Sequence, residues 1–176
     1  MKKLLYICGI TVLVMLASCR NSDEPDDPSA GGDIYSYSLA IKFVNQAGDN
    51  ILQHIECKKG DRVKFTEEYK YTRCTYEEKP DFHEALPLFI ISDGAQNYLR
   101  LWIDPYPSTG FYPTIISNLT CKYIYGDDEP REFVSTWKKG TGYVTDCIKL
   151  VYEGKEWPVS FNKELDSYVA TITVTK

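Results

Sequence analysis

From Leu39 onward, apolar residues fall on every second position of this chain, and that habit decides most of what it can fold into. Leu39, Ile41 and Phe43 alternate with Ser38, Ala40 and Lys42; Val63 and Phe65 alternate with Arg62 and Lys64; Tyr69, Tyr71 and Arg73 alternate with Lys70, Thr72 and Cys74. Successive side chains of an extended strand point to opposite faces, so a period of two turns one set toward a core and leaves the other at the surface. Further strand-like runs cover 98–103, 115–125 with a break near Asn118, 132–137, 143–152, 156–161 and 168–174. The stretch from Leu86 to Ser92 is continuously apolar and suits a central strand that starts after Pro87, which has no N–H for a ladder. Glu153-Gly154-Lys155 is a hairpin turn between two runs. No window of a dozen residues spaces its apolar positions three and four apart behind a cap, so helix is scarce.

About nine or ten short strands at roughly ten-residue spacing predict an all-β antiparallel sandwich, immunoglobulin-like or transthyretin-like, with a partly open barrel as the alternative. Residues 34–176 are long enough for a single domain with a sizeable core.

Ahead of that domain, Lys2 and Lys3 precede an apolar run from Leu4 to Leu16 that closes on Ala17 and Ser18. This is the build of a signal peptide, 1–18, and it is shorter than the roughly 20 residues of a membrane-spanning helix. Leu16-Ala17-Ser18-Cys19 resembles the lipobox of bacterial lipoproteins. The resemblance implies that Cys19 becomes the first mature residue and carries lipid, which anchors the chain to a membrane without a spanning helix. Residues 19–33 are rich in Ser, Asp, Glu, Pro and Gly and are expected to form a disordered tether. Its cluster Ser22, Asp23, Glu24, Asp26 and Asp27 is similar to the acidic export tract of Bacteroidetes surface lipoproteins. That likeness implies an outer-membrane anchor facing the cell exterior. In general style, around IKFVNQAGDN and GDDEPRE, the domain is similar to small lipoproteins of gut Bacteroidetes, which implies nothing about its sites.

The 20 Lys and Arg against 25 Asp and Glu leave a formal charge of −5, and loss of Lys2 and Lys3 with the leader makes the rest more acidic. That balance argues against nucleic acid and against adhesion to anionic headgroups; the one membrane contact expected is through lipid on Cys19. Beyond Cys8 and Cys19, the domain holds Cys57, Cys74, Cys121 and Cys147. An oxidising compartment favours two disulfides, and sequence-near strands suggest Cys57 with Cys74 and Cys121 with Cys147 among the three connectivities open to four cysteines. Free buried thiols remain open. Zinc is disfavoured, because no cysteine pair has knuckle spacing and His54 and Cys57 would point to opposite faces of a strand.

No catalytic or cofactor motif stands out. There is no Gly-x-Ser-x-Gly elbow, no phosphate loop and no His-Glu-x-x-His, and His54 and His83 are the only neutral-pH bases. A hydrolase would need two carboxylates brought together by the fold. Gly126 to Glu132 carries oxygen ligands without the pattern of an EF-hand, which favours a polar turn. The chain is therefore expected to work as a non-catalytic binding or adhesion module without a cofactor; a glycoside or other hydrolase is the second alternative, behind a structural or accessory subunit of an outer-membrane complex. Such a subunit would show an exposed apolar patch. The candidate binding surface is Tyr98, Arg100, Trp102 and Tyr106. Alternation sends Leu99, Leu101 and Ile103 to the core and Tyr98, Arg100, Trp102 and Asp104 to the other face, where aromatic rings and charges could hold a glycan or a protein loop. The competing expectation is that a neighbouring loop covers Trp102, while Tyr106, Phe111 and Tyr112 plug the end of the sandwich.

Overall fold

A computed structural model describes residues 36–75, 87–103, 111–141 and 144–175, all of them within one compact unit. The alternating runs form strands β1 (Tyr37–Val44), β2 (Arg62–Lys64), β3 (Lys70–Thr75), β4 (Phe89–Ser92), β5 (Asn97–Ile103), β6 (Thr114–Thr120), β7 (Arg131–Lys139), β8 (Thr145–Tyr152), β9 (Lys155–Trp157), β10 (Ser160–Asn162) and β11 (Ser167–Thr173). They make an all-β sandwich. One sheet has the order β10-β11-β1-β5-β4-β2 and the other β3-β6-β7-β8-β9. Leu39, Ile41, Phe43, Ile90, Leu99, Leu101 and Ile172 of the first sheet meet Tyr71, Ile115, Leu119, Phe133, Trp137 and Leu150 of the second in one core. Each such side chain contributes about 1.5–3 kcal/mol through burial.

The ladders are antiparallel with one exception: β1 and β11 run parallel, from Leu39 opposite Tyr168 to Val44 opposite Thr173. A parallel pair cannot be joined by a tight hairpin, and here the rest of the domain serves as the crossover.

Several sequence expectations change in detail. Asn118 does not break its strand; it lies opposite both Thr72 and Glu132. The run ends instead at Cys121, after which Lys122–Tyr125 form a single helical turn, α1. The run 156–161 splits into β9 and β10, which lie in different sheets. Pro158 stands at the split, where its missing N–H and fixed φ disfavour continued pairing. At the β8–β9 turn, Glu153 and Gly154 have φ of 48° and 73°, the double positive φ of a primed hairpin turn.

The disulfide expectation is corrected: Cys57 and Cys147 are free thiols, so neither expected bridge forms. Cys147 lies opposite Trp137, whose N–H donates to the Pro113 carbonyl at 2.8 Å, just before β6 begins. Cys121 follows the other end of β6. A strand of that length separates the two by roughly 20 Å, beyond the ~7 Å Cα reach of a disulfide. The Cys57 thiol lies 3.6 Å from the Ile90 carbonyl of β4, whereas Cys74 belongs to the other sheet, with its side chain outside the described residues. Burial, then the charge of Asp61, raises the Cys57 thiol pKa against a lowering backbone hydrogen bond. Burial pushes Cys147 up to about 12. The leader, Cys19, the tether, Tyr106 and His83 lie outside the described residues.

Candidate binding face

Strand register lays out the outer face of the six-stranded sheet as a grid. One row runs Ser160, Val169, Ala40, Arg100, Phe89, Lys64, each directly opposite the next on the neighbouring strand. The next row holds Tyr98, Ile91 and Arg62, and the row on the other side pairs Ser38 with Trp102. Alternation in β5 therefore sorts its faces as expected, with Leu99 and Leu101 in the core and Tyr98 on the opposite side. The side chain of Trp102 lies outside the described residues.

Facing outward does not leave Tyr98 open. It is only 7% exposed, in a cluster with Ala40 and Ile91 that Leu165 and Val169 cover. The turn between β10 and β11 makes this cover. Besides Leu165, its flank places the Asn162 amide 3.3 Å from Asp93 Oδ2, and Glu164 pairs with Lys59. Tyr98 Oη donates to the same Asp93 oxygen at 2.9 Å. Burial, then the hydrogen bond to Asp93 and its charge, pushes Tyr98 up to about 12. Burial works to raise Asp93 as well, but hydrogen bonds from the Gln96 and Ala95 N–H groups and from Tyr98 and Asn162 outweigh it and hold the carboxyl below its ordinary value. Tyr98 is thus a packing residue under a strap, a correction to its placement on an open binding surface.

Beyond the strap the face changes character. Arg100 is half-buried, donating from Nη2 to Ser38 Oγ at 2.8 Å, and Ser38 donates in turn to Ser167 Oγ at 2.9 Å. On its other side Arg100 stands opposite Phe89, and Phe89 stands opposite Lys64. The Arg62 guanidinium lies over the Phe89 ring, 3.7 Å from its centroid. One half-exposed ring thus has Arg100 and Lys64 beside it and Arg62 above it. Burial, then the charge of Arg62, lowers the pKa of Arg100, and Asp166 opposes that shift. Arg62 and Arg100 thus flank the same Phe89 ring. Sequence reading found Arg100 and missed Arg62, Lys64 and Phe89. Their signal was the basic run Lys58-Lys59-Gly60-Asp61-Arg62-Val63-Lys64, whose register against β4 no local pattern reveals.

The other singled-out residues take structural places. Tyr112 is buried and its N–H donates to Tyr37 Oη at 2.6 Å, while Phe111 stacks on Tyr37 at 6.3 Å; both close the end of the sandwich. His54 lies 3.1 Å from the Ile51 carbonyl and against the Tyr123 hydroxyl. In the 126–132 loop, Asp127 accepts from the Glu129 N–H and from Arg131, the pattern of a polar turn. Among the described residues, no three His, Cys, Asp or Glu side chains gather as metal ligands.

The chain matches no family model, no curated protein and no solved structure.

A second surface stands apart. Val144, Ile148 and Phe161 are the large apolar side chains left exposed among the described residues. Asp146, between Val144 and Ile148 in sequence, accepts a hydrogen bond from Tyr168 Oη at 2.6 Å. Val144 and Ile148 flank Asp146 two positions either way, and the Phe161 ring lies 5.3 Å from that of Tyr168.

Proposed function

We propose that the chain is a lipid-anchored surface lipoprotein, tethered to the outer membrane through Cys19, and that it works as a non-catalytic binding module. Its ligand-contacting surface is the outer face of the six-stranded sheet beyond the strap. One observation carries this reading: Arg62, Lys64 and Arg100 are ranged around Phe89 in a chain of formal charge −5. Basic side chains ranged around one ring on a sheet face, in an otherwise acidic chain, suit a ligand of complementary charge. The lipid anchor rests on Leu16-Ala17-Ser18-Cys19 and the acidic residues behind it. Metabolic labelling with a radioactive fatty acid tests it. The wild type should take up label and partition into detergent, and Cys19→Ala should accumulate as an unlabelled, slower-migrating precursor. Unchanged processing of the variant would refute the anchor.

The second reading, an accessory subunit of an outer-membrane complex, is favoured by Val144, Ile148 and Phe161. Large apolar groups left exposed are the feature that a protein contact surface requires. Replacing Ile148 and Phe161 with serine should then release the chain from the complex while leaving ligand binding at Arg62 and Lys64 intact.

A further inference from the structure

We propose that β10 and the strap after it form a flap that acid opens: protonation of Asp93 unlatches residues 160–166 while the rest of the sandwich stays folded, a property separate from whatever ligand the face takes. Asp93 stands in the turn between β4 and β5, and its carboxylate accepts from four donors. Oδ1 takes the Ala95 and Gln96 N–H groups at 2.9 and 2.8 Å. Oδ2 takes Tyr98 Oη at 2.9 Å and the Asn162 amide at 3.3 Å. Asn162 passes that hold on to the strap, because its own Oδ1 accepts from the Glu164 and Leu165 N–H groups at 3.0 and 3.3 Å. One carboxylate thus ties together two turns whose strands are kept apart in the sheet by β1. A protonated carboxyl brings a donor of its own to a place where every neighbour already donates, so acid strikes the flap at its fastening.

Little else holds the flap shut. β10 meets β11 through three register pairs, whereas β11 is held to β1 by six, so β10 can part without freeing its neighbour. Phe161 on β10 is 52% exposed, and the apolar grip of the strap is the partly buried Leu165. Lys59, whose stem lies close to Gly94 of the Asp93 turn, pairs with Glu164, but a pair exposed on both sides contributes little. At the end of the strap Asp166 has φ of 47°, a left-handed conformation that disfavours a non-glycine residue and is relieved on opening. A segment with so few buried contacts opens locally at a fraction of the cost of global unfolding. The other charged groups on the elements around Asp93 are Lys59, Lys42 of β1, Arg62 of β2, and Lys163, Glu164 and Asp166 of the strap; the cations keep their charge in acid. Burial works to raise Asp93, and its four donors outweigh burial. Its hold is therefore complete above the ordinary carboxylate value of about 4 and is lost as pH falls through the folded value. Opening uncovers Tyr98, Ile91 and Ala40.

The test is amide hydrogen exchange read by mass spectrometry on the full chain in mild detergent, from neutral pH into acid, with rates corrected for the intrinsic effect of pH. Peptides covering 160–169 should lose protection by up to about tenfold per pH unit below about pH 4, the limit for one linked proton, while peptides from β1 and β7 keep theirs. Asp93→Asn should remove that dependence and leave the segment as open at neutral pH as the wild type is in acid. Asn162→Ala cuts the same latch from the side of the flap and leaves the β4–β5 turn whole. It should do the same, and it decides the matter if Asp93→Asn does not fold. Glu164→Gln should keep the acid dependence of the wild type. A segment as protected in acid as at neutral pH, or one that loses protection only together with β1 and β7, would overturn the proposal. So would an Asn162→Ala protein that keeps the acid response of the wild type, or a Glu164→Gln protein that loses it.

Discussion

Tyr98 shows how far alternation reaches at the scale of single residues. Its position in β5 fixes which way it points, and the structure agrees; whether that side is open depends on Leu165, more than sixty residues downstream, which no local pattern connects to it. Tyr98→Phe should cost about 1–2 kcal/mol by removing the bond to Asp93. A tyrosine raised to about 12 in the fold, against an ordinary value of about 10, contributes stability that is complete below about pH 10 and lost as pH rises toward 12. Urea unfolding across alkaline pH should therefore show the two proteins converging over that interval. Asp93 has the opposite sign. Its lowered pKa contributes stability above the ordinary carboxyl range that disappears as pH falls through the folded value, so Asp93→Asn should flatten the acid limb of the same profile. Arg73 is a different case. It shares the inward parity of Tyr71 and is 9% exposed, with Nη1 lacking a hydrogen-bond partner. Burying a guanidinium with one nitrogen unbonded carries a desolvation cost, so Arg73→Met, of similar length, should melt close to the wild type.

Elements were legible where their pattern was local. The β5, β7 and β11 runs, the start of β4 beyond Pro87 and the β8–β9 turn all lie close to where period, proline and turn chemistry put them. Sheet neighbours were not, because pairing β1 with both β5 and β11 is a long-range choice made by core packing. The same limit hid the strap. Residues 162–166 lie between two strand-like runs, and their covering role comes from the parallel β1–β11 pairing that carries them past Tyr98. If that cover is apolar in origin, Leu165→Ala should lower stability by about 1–2 kcal/mol and expose Tyr98 to fluorescence quenching. Lys59→Ala, which removes an ion pair exposed on both sides, should cost less than about 0.5 kcal/mol.

For the molecule as a whole, composition and period were sufficient for the class of fold, an all-β sandwich. The cysteines were beyond their reach, since an even number is compatible with bridges and with thiols, and the separation set by β6 keeps Cys121 and Cys147 apart. Thiol titration of the mature domain should accordingly find Cys121 and Cys147 unreactive until the protein is unfolded, and Cys57 slow, because burial holds its thiol protonated. Half of the proposed binding face was visible in Arg100; the other half depended on the register of β2 against β4. The most direct measurement is a map of backbone amide shifts by NMR on adding a panel of soluble glycans to the domain 34–176. The account predicts shifts concentrated at Arg62, Lys64, Phe89, Arg100 and Ser38. Shifts gathered at Val144, Ile148 and Phe161, or spread evenly over the lysines of both sheets, would contradict it.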